Sequence, residues 1–333
     1  RLVFRDGLQS AREARGARCG DLPMFQQTAA SSRADVYSRV TSEIVAAIEV
    51  GADHWRMPWH HDGSSTTRPV NLASSRRYRG INVLALWIAA VNRGFADGLW
   101  GTYRQWQAAG AQVRKGEQSS TVVLWKELKA IPAGEEGADD GEDRPRLFAR
   151  AFAVFNRAQV DGYTPDPAPV LADTERLPHA DRFFRALQIP VQEGPYDAHY
   201  RIGEDRIYMP LFGAFEDAVA YAGTLFHESA HATGAKHRLD RNFDQRFGPR
   251  ARAMEEAVAE LTASYILADL EIAHRPRSDH AAYIGSWLTL LKDDPRAIFT
   301  AASKAQQAAD WMHRCQSEAA AIVHPQITSR NIP

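Results

Sequence analysis

The stretch TLFHESAHATG, residues 224–234, places His227 and His231 four positions apart with Glu228 between them. Residues four apart lie on the same face of an α-helix, so both imidazoles can bind one Zn²⁺. Glu228 follows the first histidine, where it can take a proton from water and pass it to a leaving amine. Gly234 is a typical helix end. The stretch therefore predicts a helix with a zinc centre and Glu228 as its catalytic residue; the alternative is a surface helix with incidental histidines.

Two residues compete for the role of third ligand, and the first is His237. It completes the spacing HExxHxxGxxH, which is typical of metzincin peptidases. A metzincin also needs a methionine in a tight turn beneath the metal. The methionines that follow His237 are Met254 and Met312, and both lie in helical patterns. His237 therefore stays an alternative ligand.

The second candidate comes from a downstream helix. In a gluzincin, such a helix supplies the third ligand, and a carboxylate one turn later holds a ligand histidine. Glu256 and Glu260, in the stretch MEEAVAEL, have this spacing and share one helix face. Glu255 is expected to point away from that face, and a pair of exposed carboxylates at a helix start is the alternative reading. The predicted ligands of one Zn²⁺ per chain are His227, His231 and Glu256.

Composition sets limits on the class of protein. The 333 residues carry a net charge of −1, so no global field points to nucleic acid or membrane. The two cysteines, Cys19 and Cys315, are too few for a disulfide framework or a cysteine-rich zinc site. No apolar run reaches the roughly 20 residues that span a bilayer. We therefore expect a cytoplasmic protein without a membrane partner.

The pattern of elements predicts an α+β protein with two domains. Apolar residues at helical spacing predict helices at 36–51, 81–92, 102–110, 180–187, 215–233, 253–269, 279–292 and 295–313. Strands are expected at 121–125, 147–155 and 205–209. The predicted order is a disordered or non-native extension (1–30), a small N-terminal α/β domain (31–165) with an acidic loop (131–146), a Pro-rich linker (166–175) and a mainly helical domain (176–325).

Several stretches together resemble the ArdC-type antirestriction family of conjugative plasmids and integrative elements. In the C-terminal half these are HESAHATGAKHRLDR, EEAVAEL, AAYIGSWLTLL and AASKAQQAADWM. In the N-terminal half they are DVYSRVTSEIVAAIE, WRMPW, YRGINVLAL, QVRKGEQSSTVVLWK and AVFNRAQVDG. The resemblance covers about residues 33–313. The acidic insertion at 133–143 and His237 depart from the family pattern, and His237 leaves the third ligand open.

This resemblance implies a function for each half of the chain. It implies an N-terminal domain that binds single-stranded DNA, a zincin-like metallopeptidase domain of gluzincin type, and protection of incoming DNA from host restriction. Zn²⁺ and single-stranded DNA are the expected cofactor and partner. The alternative is a non-proteolytic DNA-binding shield whose metal site is structural. A closed site with four protein ligands would favour the shield, because catalysis needs an open metal position.

The N-terminal half carries the charge that a DNA-binding domain needs. From Met24 to Ala130 there are thirteen basic and eight acidic residues, and aromatic residues alternate with the arginines. Single-strand binders combine such cations, which follow the phosphates, with aromatic faces on which bases stack. For Arg77 and Arg79 a solvated face is the alternative, whereas Trp87, Trp106 and Trp125 are expected in the core. The candidate DNA contacts are Trp55, Arg56, Trp59, Arg77, Tyr78, Arg79, Arg114 and Lys115.

Overall fold

The structure, a computed structural model, describes residues 33–52, 68–128, 146–164, 173–273 and 280–323. Its helices are α1 (Arg33–Ala52), α2 (Ile81–Arg93), α3 (Tyr103–Ala108), α4 (Asp173–Ala186), α5 (Ala218–Thr233), α6 (Asp244–Phe247), α7 (Ala251–Asp269), α8 (His280–Asp293) and α9 (Ala297–Val323). Its strands are β1 (Val70–Asn71), β2 (Leu99–Gly101), β3 (Gln112–Val113), β4 (Ser120–Leu128), β5 (Arg146–Asn156), β6 (Val160–Asp161), β7 (Val191–Gly194), β8 (His199–Arg201) and β9 (Arg206–Pro210). The expected α+β class is confirmed.

The N-terminal half is built on a sheet of order β1-β2-β5-β4. Strands β4 and β5 pair antiparallel from Ser120↔Val154 to Leu128↔Arg146, as expected for two strands joined by the acidic segment. Helix α2 packs against β4 because its buried face is continuous, with Leu84, Leu86 and Trp87 at most 1% exposed. Trp87 and Trp106 are buried, which confirms their expected place in the core, whereas the side chain of Trp125 lies outside the described residues.

The C-terminal half joins a small sheet to a group of helices. The sheet has the order β7-β9-β8, with β7 parallel and β8 antiparallel to β9. Helix α7 packs against both α5 and α9, and its residues from Val258 to Ala268 are buried. Helix α5 is buried over most of its length, including the motif residues. Helices α5 and α7, which carry the predicted metal ligands, are therefore packed against the core on several sides.

The hydrophobic core joins elements from both halves. Val40, Ile44 and Ile48 of α1 belong to the same buried cluster as Trp287 of α8 and Ile298 of α9. The side chain of Arg68 is buried against the C-terminal helices, with Nη1 3.0 Å from Asp269 Oδ2 and Nη2 2.6 Å from Gln306 Oε1. The boundary predicted at 166–175 stays a prediction, although α4 already begins at Asp173. Among the described residues, no helix combines the length and hydropathy needed to cross a membrane.

Candidate metal centre

Helix α5 brings the two motif histidines together in a buried position. Its N-cap is Asp217, whose side chain accepts a hydrogen bond from the Ala220 amide at 2.8 Å. The Nε2 atoms of His227 and His231 lie 3.2 Å apart, and their rings are inclined by 74°. The two imidazoles lie on adjacent helical turns, and their Nε2 atoms point toward one another's vicinity. They can therefore supply two of the four ligand positions of a tetrahedral metal site.

Glu256 of α7 completes this arrangement. Its Oε2 atom lies 3.4 Å from His227 Nε2 and 3.6 Å from His231 Nε2. Donors placed tetrahedrally around Zn²⁺ at ordinary bond lengths are about 3.3–3.5 Å apart. The three spacings therefore fit a divalent cation of this size. Within the described part of the chain, such a converging group of donor atoms is formed by His227, His231 and Glu256.

Each histidine is oriented by a carboxylate on its second nitrogen. Glu260, fully buried, lies 3.2 Å from His227 Nδ1, as its spacing from Glu256 predicts. Glu255 lies 3.2 Å from His231 Nδ1. A carboxylate at Nδ1 keeps the proton there and leaves the Nε2 lone pair for the metal. The expectation that Glu255 points away was wrong, because α7 crosses α5 at a point where two adjacent residues face the histidine pair.

Arg241 holds Glu255 in place. Its guanidinium donates to Glu255 Oε2 at 2.7 Å and to Glu255 Oε1 at 2.5 Å, and also to Thr233 Oγ1 at 2.9 Å. The Arg241 side chain is 1% exposed. A bidentate arginine fixes the plane of a carboxylate, which in turn fixes the ring of His231. Arg241 was not among the predicted site residues, although the stretch HRLDR that contains it was part of the resemblance.

The electrostatics of the centre favour a cation. Burial lowers the pKa of His231, but hydrogen bonds to Glu255 and Glu256 and the charge of Glu228 outweigh it and raise the pKa to about 10. Burial raises the pKa of Glu255, but the hydrogen bonds from Arg241 and His231 outweigh it and lower the pKa to about 2. The pKa of Glu256 is likewise lowered, against burial, by hydrogen bonds from the two histidines. The ionised carboxylates of the centre therefore stabilise a positive charge between them. A proton on His231 supplies that charge, and a divalent cation that displaces this proton would supply it instead.

We expect loss of either orienting carboxylate to loosen the metal without removing a ligand. Glu260→Ala and Glu255→Ala should each weaken metal binding by about 10- to 100-fold, as is typical when the partner of a ligand histidine is lost. Competition titration of each variant against a chelator measures this change. Glu216→Ala, which alters an exposed residue outside the centre, should leave the affinity unchanged. Wild-type affinity in both site variants would contradict an orienting role.

A cleft of about 670 Å³ opens above the histidines and Glu228. One wall comes from the region of β8 with His199, Tyr200 and Ile202, and the other includes Phe243 and Arg252. Within the described residues β8 pairs with β9 alone, so its outer edge is open to a further strand. Glu228 itself is 3% exposed. The cleft is therefore large enough for an extended peptide beside the predicted general base.

His237 is placed away from the three converging donors. Its side chain is 61% exposed, and its Nε2 atom lies 3.3 Å from Asp205 Oδ2. The same carboxylate receives both Nη groups of Arg238, at 2.6 Å and 2.9 Å. This geometry favours Glu256 over His237 as the third ligand.

Peptide hydrolysis also needs a group that stabilises the developing oxyanion, and the sequence offers Tyr265, His280 and Tyr283 for this role. Tyr265 is fully buried, and its hydroxyl donates to the carbonyl of Gly80 at 3.1 Å, so it does not line the cleft. The side chains of His280 and Tyr283 lie outside the described residues.

The structure describes five of the eight candidate DNA contacts, and the surroundings of these five differ. Trp55, Arg56 and Trp59 lie outside the described residues. Arg77 and Arg79 are exposed and reach across to acidic side chains of the C-terminal half: Arg77 Nη1 is 3.0 Å from Asp269 Oδ1, and Arg79 pairs with Asp310. These arginines can meet a phosphate, but part of their charge is already balanced.

The remaining candidates differ in accessibility. Tyr78 is half-buried, and its hydroxyl accepts a hydrogen bond from Asn71 Nδ2 at 3.0 Å, so only part of its ring can meet a base. Arg114 donates to Glu117 Oε1 at 2.7 Å and to the carbonyl of Ala158 at 2.5 Å, which ties β3 to the turn before β6. Lys115 is exposed, and no ion pair joins it to another described residue. The charge of Lys115 is therefore less balanced than that of Arg114, which pairs with Glu117 and Asp161.

The two halves of the chain match two different protein families. The family described as the N-terminal domain of the anti-restriction factor ArdC matches residues 34–155. The family described as a zincin-like metallopeptidase matches residues 178–304. Two crystal structures of the antirestriction protein ArdC from plasmid R388 are 36% identical to the chain. The metal-free structure aligns over 85% of this chain and 98% of its own with a TM-score of 0.69; the Mn(II)-bound structure aligns over 84% and 98% with a TM-score of 0.68.

Curated relatives include proteins of similar and of much greater length. The uncharacterized protein y4eC of Sinorhizobium fredii is 56% identical over 86% of this chain and 94% of its own length. Two DNA primases named TraC from Escherichia coli are 36% and 33% identical over 83% and 82% of this chain. The match spans 27% and 19% of the length of those primases, so this chain corresponds to one part of them.

Proposed function

Since the chain belongs to the ArdC antirestriction family, we propose that it binds single-stranded DNA, hydrolyses peptide bonds at a zinc centre and protects incoming DNA from host restriction. The observation that carries the hydrolytic part is the convergence of His227, His231 and Glu256 at the floor of an open cleft, with Glu228 beside them. The DNA-binding part is supported by the match of the N-terminal half and by its exposed basic residues.

The residues of the chain divide the work of hydrolysis between them. His227, His231 and Glu256 would hold the zinc ion, which would lower the pKa of a bound water molecule and polarise a peptide carbonyl. Glu228 takes a proton as the water oxygen bonds to the carbonyl carbon, and it gives that proton to the amide nitrogen as the C–N bond breaks. One water is consumed, and a carboxyl group and an amine are formed. Glu255 and Glu260 hold the two histidine rings, and Arg241 holds Glu255.

The cleft suggests how a peptide is held. An extended peptide can add to the open edge of β8, with main-chain hydrogen bonds for affinity and alternate side chains for selectivity. His199 and Tyr200 on this strand line the cleft. The tyrosine hydroxyl donates to Asp205 Oδ1 at 2.7 Å, and the His199 ring stacks on Tyr208 with centroids 5.0 Å apart. These contacts join the side chains of the edge strand to β9 and to the residue before it.

The rival function is a DNA-binding shield with a structural metal. It requires a fourth protein ligand that closes the site. Among the described residues the converging group has three members and borders an open cleft, which favours a catalytic site. A peptidase assay on purified, zinc-loaded protein decides between the two, with a quenched-fluorescence peptide library, with and without single-stranded DNA. The Glu228→Gln protein controls for contaminating peptidases.

We expect the full chain to prefer single-stranded DNA to duplex DNA. Stacking on aromatic side chains contributes about 1–3 kcal/mol per base, and a duplex hides these base faces, so the preference should be roughly tenfold or more. Fluorescence anisotropy with one labelled strand, alone and annealed to its complement, measures both affinities at the same salt. Equal affinities would reduce the N-terminal half to a generic basic surface.

A further inference from the structure

A second cleft lies between the start of α2 and helix α9, and we call it the α2–α9 cleft. It encloses about 820 Å³. Its lining combines residues distant in sequence: Tyr37 from α1, Arg79 and Gly80 before α2, Arg246 of α6, and residues 296–310. The metal centre shares none of these residues. The function proposed for the metal centre therefore leaves the α2–α9 cleft without a role.

The α2–α9 cleft carries a net positive charge. Its lining includes four cations, Arg79, Arg246, Arg296 and Lys304, against one carboxylate, Asp310. Asp310 pairs with Arg79, and Arg246 Nη2 lies 3.2 Å from Asp294 Oδ2. Within the described ranges neither Arg296 nor Lys304 has an ion pair; Lys304 donates to the neutral Gln307 at 3.2 Å. Two uncompensated cations in a concave surface concentrate a positive field where an anion can enter.

The start of α2 adds to this field. Gly80, its N-cap, has no side chain to cap the helix, and the first turn contains no acidic residue. The N-terminus of α2, the positive end of the helix dipole, therefore faces the cleft, and no acidic side chain in the first turn of α2 offsets its partial positive charge. This contribution supplements the arginine and lysine side chains.

Aromatic side chains line the same wall as the cations. The rings of Tyr37 and Phe299 meet edge to face with centroids 4.6 Å apart, and the guanidinium of Arg296 lies 5.3 Å from the centroid of the Tyr37 ring. Both rings are only partly buried. Nucleic-acid bases stack on aromatic rings and on the planes of arginine side chains. An anionic ligand that also carries flat rings fits this wall better than an acidic peptide does.

We propose that the α2–α9 cleft binds a segment of single-stranded DNA, with phosphates against Arg296 and Lys304 and a base against the wall formed by Tyr37, Phe299 and Arg296. This inference rests on the proposed DNA binding and extends it to the last helix of the C-terminal half. Arg79 supports the continuity of the two surfaces, because it lines the cleft and belongs to the basic segment before α2. One strand can therefore contact both halves of the chain.

The test compares charge-neutral variants of the full chain. The double variant Arg296→Gln/Lys304→Gln removes the two cations that have no ion pair among the described residues, and the fold should tolerate both changes. The double variant Arg182→Gln/Arg314→Gln is the control matched in charge, because both arginines are exposed and neither lines the cleft. Binding of a fluorescein-labelled oligothymidylate is followed by anisotropy over a range of salt concentrations. Each single-strand phosphate contact adds about 0.7 to the slope of log K against log salt, so the double variant should lower that slope by about 1.4 and the affinity by roughly tenfold.

The outcomes separate the cleft from the general DNA-binding function. Retained affinity and slope in the double variant, with the wild type binding normally, overturn the cleft inference and leave the proposed function standing. Absence of wild-type binding overturns both. An equal loss in the Arg182→Gln/Arg314→Gln protein would mean that net charge alone matters, which also overturns the inference. Competition of the labelled strand by thymidine monophosphate or by polyglutamate, at concentrations comparable with the unlabelled strand, would assign the cleft to a free nucleotide or an acidic peptide instead.

Discussion

Glu256→Ala is expected to strip the metal from the protein. The substitution removes one of three converging donor atoms, so metal affinity should fall by more than the roughly 100-fold upper limit seen when only the partner of a ligand is lost. A 100-fold loss in the presence of excess metal removes about 2.7 kcal/mol of stability that is linked to metal binding. Elemental analysis of dialysed protein measures the stoichiometry, and thermal unfolding with and without zinc measures the lost stabilisation.

His237→Ala is the decisive comparison for the same prediction. Because the His237 side chain is exposed and lies against Asp205, its loss should leave one metal ion per chain. Glu255→Ala serves as a control on the same turn of α7, and its affinity should lie between those of the wild type and Glu256→Ala. If His237→Ala loses the metal and Glu256→Ala keeps it, the third ligand is His237 and the gluzincin assignment is wrong.

Glu228→Gln is expected to abolish peptide hydrolysis while the protein keeps its metal. General base catalysis by a positioned side chain contributes about 10²- to 10⁴-fold, so kcat/KM should fall by that factor or below detection. The amide fills the same volume and cannot accept the proton of the attacking water. The measurement is turnover of a quenched-fluorescence peptide by zinc-loaded protein, with metal content determined on the same sample.

Two further observations make this result interpretable. The metal content of Glu228→Gln should equal that of the wild type, because Glu228 is outside the converging donor group. Binding of single-stranded DNA should also be unchanged, since Glu228 does not line the α2–α9 cleft. Undiminished hydrolysis by the Glu228→Gln protein would show that the activity arises elsewhere in the sample. Absence of hydrolysis in the wild type, with DNA binding intact, would support the shield.

Local spacing was sufficient to predict the centre of the metal site. His227 and His231 meet because residues four apart share a helix face, and Glu256 and Glu260 follow the same rule on α7. The β4–β5 pair was also predictable, since two apolar runs on either side of a polar, glycine-containing segment indicate two strands joined by a hairpin loop. These features depend on the order of residues within a single element or between neighbouring elements.

Short elements with distant partners were not predictable in the same way. Strands β7 and β8 have four and three residues. In the sheet β7 pairs directly with β9, although β8 lies between these two strands in the sequence. Such strands contain too few residues for a periodic pattern to be distinguished from a loop. The edge of β8 that borders the metal centre is therefore visible only in the folded chain.

The sequence by itself determined the spacing of the two histidines, the helix that carries Glu256 and the basic, aromatic character of the N-terminal half, and it predicts Glu228 as the general base. The tertiary structure decided that Glu255 and Arg241 orient His231, that Arg79 faces Asp310, and that α2 and α9 enclose a second basic cleft. The physical reason is that helical and strand periodicity fix which residues share a face of one element. Which face meets another element depends on side-chain packing across the whole core, and no local pattern encodes that crossing.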